Sequence, residues 1–237
     1  MTIAQIPAQT LAIEYPESDG QPMAENTKQF EWIVTIEGGL DAQYASDPNV
    51  FVAGDLFWYP VEGRNDIRVA PDVLIVFGRP KGHRGRYLQW QEDNLPPQVV
   101  FEIWSPGNTT RDYTNKYRFY NKYGVQEYYL YDPDRAELLG WQRRDDELVE
   151  IETMNEWVSP RLGVRFEMVD AELKLYHPNG ERFKTFLELA ESEEKARLLA
   201  AYERTQAEQE RARAEQERAR ADRLAAQLRE LGVQPEA

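Results

Sequence analysis

Residues 99–133 read VVFEIWSPGNTTRDYTNKYRFYNKYGVQEYYLYDP, and three patterns follow one another along them. Residues 98–103 form a short apolar run entered through Pro96-Pro97, which predicts a strand with Glu102 inside it. Residues 110–123 space tyrosines and a phenylalanine at helical intervals and close on Gly124. Residues 127–131 are again strand-like and end at Asp132-Pro133. Upstream, 24–44 carries Phe30, Ile33, Val34, Leu40 and Tyr44 at helical spacing, while 50–59 and 67–77 are rich in β-branched and aromatic residues. Residues 78–85 are a turn-rich loop. Shorter strands are expected at 136–143, 147–153 and 162–176, with a turn at Asn179-Gly180. The order over 24–132 is helix, three strands, helix, strand, which predicts an α+β class with a mixed sheet.

The chain divides by composition. Residues 1–21 read as a flexible leader, 22–184 as the body, 185–231 as a charged helix and 232–237 as a tail. The helix opens on a capping-box pattern, Thr185-Phe186-Leu187-Glu188, and ends at Leu231-Gly232. Inside it AEQERAR occurs at 207–213 and again at 214–220. At 1.5 Å per residue the helix extends about 65 Å. Ala207, Glu210, Ala214, Glu217, Ala221, Leu224, Leu228 and Leu231 give an alanine-rich seam that two readings fit. One is a coiled coil that sets a homo-oligomer through 188–231. The other is a solvated single helix held by Glu-to-Arg pairs such as Glu208–Arg211.

Charge and composition exclude several functions. The 237 residues carry a formal charge of −14 and no cysteine. Disulfide frameworks, thiol catalysis and cysteine-bound metals are excluded. His83 and His177 stand far apart, so a Ser-His-Asp triad or histidine-built metal site is not expected. No apolar run reaches membrane-spanning length and the N-terminus has no secretory pattern, so a soluble cytoplasmic protein is expected. The 188–230 segment holds 11 acids against 9 bases, so the negative charge belongs chiefly to the body. An acidic body repels phosphate backbones at long range.

Any chemistry must then come from carboxylates, lysines and hydroxyls. Asp72 interrupts VAPDVLIV (69–76), and Glu102 interrupts VVFEIW (99–104). An acid in such a run is costly unless paired, hydrogen-bonded or metal-bound. Pro71 removes a ladder donor and favours an edge or bulge beside Asp72. The plain alternative is that each acid points to solvent on an alternating strand, with Val100 and Trp104 sharing the Glu102 face. Asp112 and Lys116 fall i,i+4 on one helix face, and the plain reading is a surface pair with Thr109 and Asp112 capping the helix. Tyr117, Phe119 and Tyr120 read as core, and Arg118 and Lys122 as solvated, although aromatics interleaved with bases also suit stacking on single strands. Arg79, Lys81, Arg84 and Arg86 read either as a strip that guides phosphate or as a solvated loop.

The stretches APDVLIV (70–76) and 99–133 resemble the Uma2-type family, also called DUF820, abundant in cyanobacteria, over about residues 20–180. Members resemble the PD-(D/E)XK, or restriction-endonuclease-like, superfamily. The specific part is EI-S-x-x-x-T-x-x-D-x-x-x-K, then Y-x-x-x-GV-x-EY and DP. The resemblance implies a restriction-endonuclease-like core, with the long C-terminal helix a common appendage. It implies DNA as substrate, and Mg²⁺ or Mn²⁺ held by Asp72, Glu102 and the Ile103 carbonyl, hard oxygen ligands that suit such an ion. Glu25 falls where the superfamily often adds a further acid, and Ser105 and Asp112 are candidate lining residues. The chain departs from the pattern at Trp104, where the superfamily has its lysine; Lys116 on the next helix is the candidate replacement. Three functional readings remain: a metal-dependent endonuclease, a nuclease-fold scaffold that oligomerises through its C-terminal helix, and a nucleic-acid binder without cleavage. Convergence of Asp72, Glu102 and Lys116 favours the first.

Overall fold

The computed structural model describes residues 13–18, 20 and 23–230, with the side chains of 224, 225 and 227–230 outside that description. It divides into two compact units, residues 1–185 and 186–237. In the first, a six-stranded sheet has the order β1-β3-β5-β6-β7-β8. The strands are β1 (Val50–Gly54), β3 (Val73–Phe77), β5 (Val99–Ile103), β6 (Glu127–Asp132), β7 (Glu137–Arg144) and β8 (Glu147–Glu150). Every neighbouring pair is antiparallel except β5 and β6. A parallel pair needs a crossover, and helix α2 (Thr110–Lys122) provides it. The sheet is mixed because of this one strand–helix–strand unit.

Each face of the sheet has its own core. Val73, Ile75, Val99, Phe101 and Ile103 point to one side and pack with Ile33, Ile36 and Leu40 of α1 (Thr27–Gln43). The hairpin β9 (Arg165–Val169) and β10 (Glu172–Tyr176) covers the same side with Phe166, Leu173 and Leu175. Leu74, Val76 and Val100 point the other way, under Tyr120 of α2 and with Trp58 and Tyr87. Those two aromatics lie in β2 (Trp58–Tyr59) and β4 (Tyr87–Leu88), a small parallel pair. The central strands β3, β5 and β6 are buried on both faces and therefore read as continuous apolar runs.

Several boundaries differ from the sequence reading. The strand expected over 50–59 breaks because Asp55 takes φ 46, a left-handed conformation that Asp tolerates and a β-branched residue does not. The strand expected over 67–77 starts only at Val73: Pro71 cannot donate to a ladder, and Val69 makes an isolated bridge to Trp58. The expected 162–176 strand is a hairpin turning at Asp170 and Ala171, both at positive φ as a type I′ turn requires. Asp-Ala is an uncommon sequence for that turn, so it left no clear mark. In α1 the buried face is Gln29, Ile33, Ile36 and Leu40, while Phe30 is 50% exposed. Part of the expected leader, residues 1–12, 19 and 21, lies outside the described residues. The rest includes a segment held against the body: the Pro16 carbonyl accepts from the Tyr59 hydroxyl, and the Tyr15 hydroxyl accepts from Gly63 N.

The second unit contains helix α3 (Phe186–Glu230). Its described side chains from 189 onward are exposed throughout, including Leu198, Leu199 and Tyr202. Leu224 and Leu228 of the heptad seam belong to the undescribed side chains, and Leu231 and the 232–237 tail lie outside the described residues. Among the described residues no helix is long and apolar enough to cross a membrane.

Candidate active site

Strand pairing places the two acids together. The β3–β5 register sets Val73 against Phe101, and one further step sets Asp72 opposite Glu102. Directly opposed residues have Cβ atoms about 5 Å apart on one face. The same step sets Pro71 opposite Ile103. The Ile103 N–H donates to Asp72 Oδ2 at 2.6 Å. Both acids are buried, Asp72 8% and Glu102 3% exposed, so the solvent-facing alternative is excluded for both. The error in that alternative is specific: α2 covers this face of the sheet, so alternation along β5 leads into a second core rather than into water.

Helix α2 supplies the partners. Lys116 Nζ donates to Glu102 Oε2 at 2.6 Å, and the Tyr120 hydroxyl donates to Glu102 Oε1. Thr109 caps the helix reciprocally with Asp112, so Asp112 is spent on the cap while Lys116, one turn on, turns toward the sheet. Trp104, which holds the position two residues after Glu102, continues the strand by donating its N–H to the Tyr131 carbonyl at 2.8 Å. Its ring lies beside Tyr113 and shares a narrow pocket with Glu102, Asp112, Lys116 and Tyr128.

The electrostatics follow from two carboxylates and one lysine. Burial, and then the Glu102 charge, push the Asp72 carboxyl up to about 8. For Lys116 burial disfavours the ammonium, but the Glu102 and Asp72 charges outweigh it and hold its pKa above the ordinary value. Burial and the Glu102 charge hold the Tyr120 and Tyr128 hydroxyls well above the usual phenol range. The cluster as a whole is short of positive charge, and its donors are oxygens. A divalent cation that prefers hard oxygen ligands fits such a set. Among the described residues no group of three or more acids or histidines could hold a metal. Such an ion would therefore rest on Asp72, Glu102 and main-chain oxygen.

One residue that the sequence did not single out organises that oxygen. Gln29 of α1 donates from Nε2 to the Ile103 carbonyl at 3.2 Å and accepts from Glu25 N at 2.8 Å. A carbonyl has two lone pairs, so one remains. The available signal was a polar residue in register with Ile33, Ile36 and Leu40 on an apolar helix face. Glu25 stands ahead of the Asn26 N-cap rather than on the helix. Its carboxylate accepts from Ser105 Oγ and from Gly107 N at 3.1 Å, an approach so close that a Cβ at Gly107 would lie 2.2 Å from the carboxylate and push it aside. Ser105 is thus buried in a loop clasp, beside the pair but not bonded to it.

The basic strip is neutralised. Arg79 and Arg84 both bind Glu92, Lys81 binds Asp41, and Arg86 binds Glu17. On α2 Tyr120 is buried, Tyr117 and Phe119 are half-buried against the same core, and Arg118 and Lys122 are exposed.

The family profile Uma2, described as "Putative restriction endonuclease", matches residues 4–174. The chain belongs to the Uma2 family. Its similarity to solved structures includes one described as "a putative nuclease belonging to DUF820" from Anabaena variabilis ATCC 29413. Identity there is 15% and the TM-score 0.42, covering 59% of this chain and 74% of that one. No curated protein matches this Uma2 chain.

Proposed function

We propose that the protein is a metal-dependent endonuclease that hydrolyses phosphodiester bonds of DNA. The observation that carries this reading is the meeting of Asp72, Glu102 and Lys116 at the end of β3 and β5, with Lys116 Nζ 2.6 Å from Glu102. The description of the Uma2 family supports the same reading. Asp72, Glu102 and the Ile103 carbonyl hold Mg²⁺ or Mn²⁺, which when bound neutralises the carboxylates and polarises the phosphate. The chain's own residues do the rest. Tyr120 fixes the Glu102 carboxylate, and Gln29 aims the Ile103 carbonyl. Lys116 keeps its charge and stabilises negative charge that builds on the phosphate oxygens, taking the part of the lysine that Trp104 replaces. In the hydrolysis the water oxygen bonds to phosphorus, one phosphorus–oxygen ester bond breaks, and the leaving oxygen takes up a proton from that water.

The test is nicking of supercoiled DNA with Mg²⁺ or Mn²⁺ by wild type, Asp72→Ala and Glu102→Ala. The expected result is metal-dependent nicking lost by at least 100-fold in both variants. Equal activity in all three assigns the cleavage to a contaminant and overturns the reading. The scaffold reading has one observation in its favour, the neutralised basic strip, and predicts no nicking by wild type. In the scaffold reading residues 188–231 pair copies of the chain, and a monomer at all concentrations in sedimentation equilibrium overturns that reading.

A further inference from the structure

Tyr128 lies on β6, opposite Val100, on the face that α2 covers. Its side chain has no exposed surface, and its hydroxyl has no hydrogen-bond partner among the described residues. A buried phenol without a partner is costly, and such groups call for a water, an ion or a functional role. The ring is fixed: it stacks on Trp141 at 4.9 Å between centroids and meets Tyr120 edge-on at 5.0 Å. It lines the narrow pocket that also holds Glu102, Lys116 and Trp104, a space of about one water molecule.

We infer that Tyr128 Oη, Lys116 Nζ and the Glu102 carboxylate together hold a water molecule, and that this water is the one used in hydrolysis. A buried water needs two to four polar partners. Lys116 has three N–H groups and gives one to Glu102, and each Glu102 oxygen can accept more than one bond. The Tyr128 hydroxyl, whose residue lines the same pocket, supplies the remaining contact. The use of the water in catalysis rests on the endonuclease reading; the water site itself does not.

The experiment pairs a high-resolution crystal structure with kinetics, for wild type and Tyr128→Phe. Phenylalanine keeps the ring between Trp141 and Tyr120 and removes only the hydroxyl. The expected results are a water within about 3 Å of Tyr128 Oη in wild type, lost in the variant. The melting temperature stays unchanged, and kcat for nicking falls about 10- to 100-fold with KM for DNA unchanged. No water at Tyr128 in wild type overturns the inference, whatever the activity. A rise of several degrees in the variant's melting temperature means the hydroxyl was buried dry and overturns it equally. A water present with an undiminished kcat overturns its role in the reaction. A water present in a wild-type protein that nicks no DNA sustains the water site and sinks the endonuclease reading instead.

Discussion

Replacing Asp72 by asparagine removes a carboxyl that the fold does not accommodate as an anion, while keeping an oxygen that can accept from Ile103 N. Folded, this carboxyl titrates at about 8; unfolded, it titrates at about 3.9. Below pH about 4 it is protonated in both states and costs nothing. Between about 4 and 8 only the unfolded chain has lost the proton, so wild-type stability falls by about 1.4 kcal/mol per pH unit. Above about 8 both states are ionised and the loss levels off. The asparagine variant lacks this titration. It is therefore more stable than wild type by about 1–2 kcal/mol at pH 5, about 4 at pH 7 and about 5–6 at pH 9. Urea unfolding of both proteins at those three values, with a chelator present, measures the gap directly. A gap that is the same at pH 5 and pH 9, or a wild type that is the more stable at pH 7, refutes the reasoning. Adding Mg²⁺ narrows the gap by stabilising wild type alone, about 2.7 kcal/mol at a concentration 100 times the Kd.

Lys116→Met leaves Glu102 in the pocket without its cation and costs about 2–3 kcal/mol in denaturant unfolding. Because Lys116 lowers the Asp72 pKa, the same variant moves that titration above about 8; an unmoved pH profile sinks the coupling. Glu127→Gln sets an amide among donors, since the carboxylate accepts from Ser159 Oγ, the Tyr129 hydroxyl and Arg161 N. A loss of about 2 kcal/mol is expected by urea titration, and none at all contradicts the role of Glu127 as an internal acceptor.

How much of the site was legible depended on the kind of signal. Asp72 and Glu102 stood out because an acid in an apolar run has few inexpensive explanations. Lys116 was reachable only through the family pattern, because its i,i+4 spacing from Asp112 reads as a surface pair and only the packing of α2 sends it to Glu102. Gln29, Tyr120 and Tyr128 looked like ordinary helix or core residues. Their roles depend on where a hydroxyl or amide ends, which spacing along the chain does not encode. The basic strip shows the reverse: four bases close in sequence suggest a phosphate path, but Glu92, Asp41 and Glu17 arrive from other segments and neutralise them.

From the sequence alone came the α+β class, the strand–helix–strand unit at 99–133, the long C-terminal helix and the two acids in apolar runs. These are local quantities, set by periodicity, by proline and by the cost of a charge among apolar neighbours. The tertiary structure alone decided that β5 and β6 are parallel, that α2 closes over Glu102, and that one step of β3–β5 register brings Asp72 to face it. Register and face are fixed by contacts between segments about 30 residues apart, for example Ile103 N with Asp72. A two-residue periodicity tells which side chains share a face, but only the completed sheet tells which face is covered and which carboxylate is left short of a cation.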